Sequence, residues 1–166
     1  MSHMFALAAA AMATLLLGVS PASADAPNDR AALAGLTEVK VAFDVQNGDP
    51  KTLLRQLEVI DETRQSLINQ GVKPSFVITF RGPATKLTQT DQSQIKPEDR
   101  EEAGKVTAKI KALRSAEGVA NLEQCAVAVR LAGTNPENLL PDIKLVGNGW
   151  ISLMAYQARG YGYIAP

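Results

Sequence analysis

The chain has 166 residues, with 17 basic side chains against 17 acidic ones, one His and one Cys. An apolar fraction of 46% excludes a disordered chain, and a formal net charge of zero argues against a nucleic-acid surface, which shows as a basic excess. One cysteine excludes both an intrachain disulfide and a cysteine zinc site, and the length suits a single domain with a sizeable core.

Residues 4–19 carry no charge and are rich in Ala and Leu. The run has the length of a signal-peptide apolar region and falls short of the roughly 20 residues that a membrane span needs. Ala22 and Ala24 then supply the small-x-small cleavage pattern. The reading is a signal peptide over residues 1–24, cut after Ala24, and a periplasmic or secreted product with no stable membrane span. An uncleaved N-terminal anchor is the alternative. His3 lies within the leader, so the mature chain holds no histidine. Ser-His-Asp, Cys-His and His-metal chemistry are thereby closed to it, and no metal site is expected.

Residues 25–37 mix Pro, Asn, Asp and Ala and read as a flexible or loosely helical lead-in to one domain over residues 38–166. Val39, Val41, Phe43 and Val45 alternate with polar or small residues, the pattern of a half-buried strand. Asn47-Gly48-Asp49-Pro50 breaks it. Asp49 can cap a helix and Pro50 suits its first turn, while Leu53, Leu57, Ile60 and Leu67 mark the buried face up to Gly71. Residues 76–80 (FVITF) are continuously apolar, as in a strand covered on both faces. Arg81-Gly82-Pro83 ends that strand, and the polar stretch 85–96 predicts a surface loop or short helix.

Pro97-Glu98-Asp99 opens a second long helix, its acids near the positive end of the helix dipole. Ala103, Val106, Ile110 and Leu113 form its buried stripe, and Gly118 is the stop signal. A short strand ends near Cys125, and a helix over 126–132 ends at Gly133. Residues 143–146 form a fourth strand, 150–159 a helix stopped by Gly160, and 161–164 a last strand. Strands alternating with helices predict an α/β three-layer sandwich around a mainly parallel sheet of about five strands.

Cys125 is the one nucleophile of note and the candidate catalytic residue. It sits where a strand hands over to a helix, and a helix N-terminus stabilises thiolate and persulfide anions. The ends of parallel strands are also where ligands bind. A free cysteine equally serves as a small buried hydrophobe, and that alternative stands beside the first. Asn47, Gly48 and Asp49 form a second strand-end loop that could bind an anion, or act only as a capping turn. Arg81 could hold an anionic ligand or a partner carboxylate, or be an ordinary surface arginine. Asp44 is expected to face solvent or a subunit contact, because a buried acid is costly without a partner. Trp150, Leu153, Met154 and Tyr156 make much of one helix apolar, which reads as core packing plus a subunit interface. No polar anchors for a cofactor stand out, and none is expected.

Four segments, taken in order, make the chain resemble the DsrE/DsrF-like sulfur-relay proteins. They are Asn47-Gly48-Asp49-Pro50, then Phe80-Arg81-Gly82-Pro83-Ala84-Thr85-Lys86-Leu87, then Cys125 in its spacing to Gly133 and Leu139-Leu140-Pro141, and finally Gly160-Tyr161-Gly162-Tyr163-Ile164. The apolar continuation Cys125-Ala126-Val127-Ala128 looks more like the sulfur-transfer members. The resemblance implies flavodoxin-like layering and assembly into trimers or hexamers. It also implies a persulfide on Cys125, loaded or unloaded by a sulfur donor or acceptor protein. The alternative role is a non-catalytic oligomeric module that binds a small ligand or protein, with Cys125 inert in the core.

Overall fold

The apolar-polar alternation predicted after residue 38 forms strand β1 (Glu38–Val45), which turns Val41, Phe43 and Val45 toward the main core. In the computed structural model residues 27–166 are described. The expected signal peptide over 1–24 and its cut after Ala24 lie outside the described residues. Helix α1 (Pro50–Asn69) starts as its sequence dictates: the Asp49 carboxylate accepts from the Thr52 amide at 2.8 Å, and Pro50 occupies the first turn. Strand β2 (Lys73–Phe80) follows, then a 3₁₀ segment (Gly82–Thr88), helix α2 (Arg100–Arg114), strand β3 (Val119–Cys125) and helix α3 (Ala126–Ala132). Gly133 closes α3 in the left-handed conformation, φ 65°, that glycine adopts without strain. Strand β4 (Lys144–Val146), helix α4 (Gly149–Ala158) and strand β5 (Gly162–Ile164) complete the domain.

All five strands run parallel, in the order β4-β3-β2-β1-β5. The connections through α1 and α2 step along the sheet in one direction, so right-handed crossovers put both helices on the same face. Here Leu53, Leu57 and Ile60 of α1 and Val106, Ile110 and Leu113 of α2 pack on Val41, Phe43, Phe76, Ile78 and Leu122. The connection from β4 to β5 returns across the whole sheet, which sends α4 to the opposite face, against β1, β2, β3 and β5. The α/β three-layer architecture expected from the element order is the one observed.

The two faces of the sheet differ in chemistry. Beneath α4, Asp44, Thr79 and Glu123 stand side by side on paired strands, and all three are buried. Glu123 accepts from the hydroxyls of Ser152 and Tyr156, the latter at 2.9 Å, so α4 is held to the sheet partly by hydrogen bonds rather than by apolar packing alone.

Two expectations are corrected. Asp44 does not face solvent or a subunit contact: it is 1% exposed, because Arg81 supplies the partner that makes burying its charge tolerable. The polar stretch 85–96 begins, as one of its two expectations had it, in a short helix and continues as a mostly exposed loop from Thr90, but its first part is not at the surface. Ala84, Thr85, Leu87, Thr88, Gln89 and Ile95 are buried. The side chain of Gln124 reaches from β3 to meet Thr85 Oγ1 at 2.9 Å and Thr88 Oγ1 at 2.8 Å, so these polar groups satisfy one another inside.

Candidate functional site

Cys125 is the last residue of β3 and stands directly before α3. Its side chain falls on the α4 side of the sheet. There the backbone N–H of Gly149, the first residue of α4, donates to Sγ at 3.1 Å. Asn148 caps the same helix, its side chain accepting from the Trp150 amide at 3.0 Å. Gly149 allows this approach because it lacks a side chain. A Cβ there would lie 3.0 Å from Cys125 Cβ, 3.3 Å from Thr79 Cγ2 and 3.4 Å from Cys125 Sγ. Cys125 is buried, at 5% exposure, yet it lines a cavity of about 470 Å³.

The cavity opens at the C-terminal ends of β2 and β3, the usual ligand side of a parallel sheet. Pro83, Val127, Ala128, Leu131, Ala132 and Trp150 give it apolar walls, and Arg81, Lys86 and Asn148 bring polar atoms to it. The 3₁₀ segment supplies Pro83 and Lys86, α3 supplies Val127, Ala128, Leu131 and Ala132, and α4 supplies Trp150.

Arg81 forms the other half of the site. Its guanidinium is bidentate on Asp44, Nε to Oδ1 at 2.6 Å and Nη2 to Oδ2 at 2.5 Å. These hydrogen bonds hold the guanidinium even more firmly protonated than usual. Tyr163 from β5 donates to Asp44 Oδ2 at 2.6 Å, and Gln46 Nε2 donates to the same oxygen at 3.1 Å. The bond to Asp44 raises the Tyr163 hydroxyl above its ordinary range, with burial adding to the rise. The Trp150 ring lies 5.5 Å from the guanidinium carbon, within cation-π range.

The candidate residues therefore separate. Cys125 and Arg81 share the cavity. Asn47, Gly48 and Asp49 stand apart from it as a capping turn. Asn47 Oδ1 accepts from the Asp49 amide at 2.9 Å, and the hydroxyl and amide of Thr52 hold the Asp49 carboxyl below its usual range. Gly48 packs against Pro83, where a Cβ would come within 2.5 Å of the proline Cβ. The loop thus positions the 3₁₀ segment that forms one wall.

Sequence reasoning missed Lys86, Leu131 and Gly149. Gly149 had a signal, since Asn148-Gly149 before an apolar stretch is a helix start. Lys86 and Leu131 had none, because only the packing of α3 on the 3₁₀ segment brings them together.

The fold and site define an α/β sandwich with an all-parallel five-stranded sheet and a strand-end cysteine under the first turn of the returning helix. No family model matches the chain. It is 24% identical over 126 residues to an uncharacterised protein of Aquifex aeolicus (strain VF5), a match that covers 76% of this chain and 55% of that protein. The chain thus spans about half the length of this curated relative. Among solved structures, the protein of unknown function MTH1491 from Methanobacterium thermoautotrophicum is similar, with a TM-score of 0.59 at 17% identity, over 77% of this chain and 99% of that one. This likeness is one of fold.

Proposed function

We propose that the chain is an exported, thiol-based sulfur-handling protein of the DsrE/DsrF-like type, in which Cys125 accepts sulfane sulfur and carries it as a persulfide. The observation that carries the reading is the position of Cys125 at a strand end in the cavity wall, with the Gly149 N–H donating to its Sγ at 3.1 Å. A fixed backbone donor stabilises an anionic sulfur, and the thiolate is the species that attacks sulfane sulfur. The role needs no histidine, and the sequence has only His3.

The four segments that resemble the DsrE/DsrF-like proteins support the same reading, as does a sheet of the expected type. Export follows from the leader, and N-terminal sequencing of exported protein should begin at Asp25. Intact Met1 in a membrane fraction would overturn that part. The subunits assemble as a trimer or hexamer, for which the exposed apolar side of α4 is the suitable surface: Trp150, Ile151 and Met154 are 60%, 61% and 59% exposed.

The test is sulfur uptake. Folded protein treated with polysulfide gains one sulfur atom by mass, reductant removes it, and Cys125→Ser takes up none. A second reading, the binding module with an inert cysteine, draws on the 5% exposure of Cys125. It replaces the first if the folded thiol stays unalkylated until denaturation, or if alkylation reaches the folded thiol and sulfur does not.

A further inference from the structure

We propose that the sulfur donor for this site is an organic anion: an apolar alkyl or aryl body bearing a terminal sulfane sulfur, RSO₂S⁻ or RSS⁻. The inference rests on the reading of Cys125 as a sulfur carrier and names the class of molecule that loads it. A cavity of about 470 Å³ is of small-molecule size and far exceeds what an inorganic sulfur anion fills. Pro83, Ala128, Leu131 and Trp150 would keep the remaining water against apolar surface, and an alkyl or aryl body displaces that water. Leu131, on α3 and away from the α4 face assigned to assembly, is 74% exposed at the cavity and is an apolar side chain available to such a body.

The charge is equally one-sided. No Asp or Glu lines the cavity, and two cations do. Arg81 is committed to Asp44, whereas the Lys86 ammonium has no hydrogen-bond or ion-pair partner among the described residues. Lys86 is therefore the group available to an anionic head.

The step balances without an oxidant or reductant. The Cys125 thiolate, its proton already passed to solvent, attacks the terminal sulfur. A new S–S bond forms, giving Cys–S–S⁻. The donor's own bond to that sulfur breaks, and its electron pair leaves with the sulfinate RSO₂⁻ or the thiolate RS⁻. The Gly149 N–H meets the attacking sulfur throughout.

The experiment compares benzenethiosulfonate with methanethiosulfonate as donors. Persulfide formation on Cys125 is timed by mass spectrometry, and each rate is divided by that of the same donor on urea-unfolded protein, which removes intrinsic reactivity. The folded-to-unfolded ratio should be on the order of tenfold larger for the aryl donor, the gain from burying a ring. Leu131→Asp, at an exposed position where folding is not at stake, should abolish that advantage, and Lys86→Gln should slow both donors. Equal ratios for the two donors, or an advantage that survives Leu131→Asp, overturn the proposal while polysulfide still loads Cys125. If polysulfide also fails to load it, the carrier reading falls and this inference falls with it.

Discussion

Arg81 and Asp44 meet across the C-terminal ends of two adjacent parallel strands, and each accounts for the other's position. Asp44 is a nearly inaccessible carboxylate whose nearest cation is the Arg81 guanidinium, with Nε 2.6 Å from Oδ1. Arg81 is held by that carboxylate with its guanidinium carbon 5.5 Å from the Trp150 ring centroid, and it lines the same cavity as Cys125. The pair thus ties β1, the end of β2 and the first turn of α4 together at the site.

Removing one member exposes what the pair does. Arg81→Met should lower stability by about 3 kcal/mol, because Asp44 is left buried with only Tyr163 and Gln46 as donors. Asp44→Asn should cost less, since it removes the charge and keeps a hydrogen-bonding side chain. Urea midpoints for the two variants check the ranking. A midpoint for Arg81→Met equal to that of wild type would mean the ion pair contributes nothing.

Gly149→Ala should damage the site from a position that carries no functional group. Its Cβ would press on Cys125 and Thr79, both on the rigid sheet, so α4 must move outward. The expected loss is about 2 kcal/mol, typical of overpacking. The longer distance from the backbone N–H to Sγ should slow sulfur uptake relative to wild type. Retained stability together with an unchanged uptake rate would refute the account of why glycine stands there.

Asp61 should give the protein a measurable acid dependence. Burial opposes its charge, but hydrogen bonds from Lys109 at 2.7 Å and from Arg64 at 2.9 Å outweigh that, and its carboxyl lies below the ordinary 3.8. The unfolded carboxyl therefore binds a proton more readily than the folded one. This contribution is fully present above 3.8 and is lost as pH falls through the lower folded value. Asp61→Asn should be about 2 kcal/mol less stable than wild type at neutral pH. The gap should close in strong acid, as denaturant titrations at several pH values would reveal. A gap independent of pH would assign the loss to packing.

Assembly has its own test. Sedimentation at micromolar concentration should give a trimer or hexamer, and Ile151→Glu combined with Met154→Glu should yield monomer of unchanged fold. Both side chains are exposed in the single chain, so charge there does not disturb the core. A wild-type monomer would remove both the interface and one support for the family resemblance.

Periodicity carried most of the fold. The buried stripe Ala103, Val106, Ile110 and Leu113 is read directly from its spacing, and all four residues are buried. Gly133 likewise marks the end of α3 where it occurs. The polar interior was not legible in this way. Thr85, Thr88 and Gln124 look like surface residues until a strand and a 3₁₀ turn distant in sequence place their donors and acceptors opposite one another. Asp44 misleads for the same reason, as its cation lies 37 residues away in sequence. The site was half legible. Cys125 and Arg81 stood out by residue type and strand-end position, whereas Gly149 and Lys86 became relevant only through tertiary proximity.

The return of α4 and β5 across the sheet also sets a schedule. These are the last two of the described elements to be synthesised, yet they bring the Gly149 donor, the Trp150 wall and the Tyr163 bond to Asp44. A nascent chain that has emerged only as far as β4 already carries Cys125, with one side of its pocket missing. At that stage the thiol lacks the wall that α4 supplies in the completed domain, and β1 keeps an open edge until β5 pairs with it.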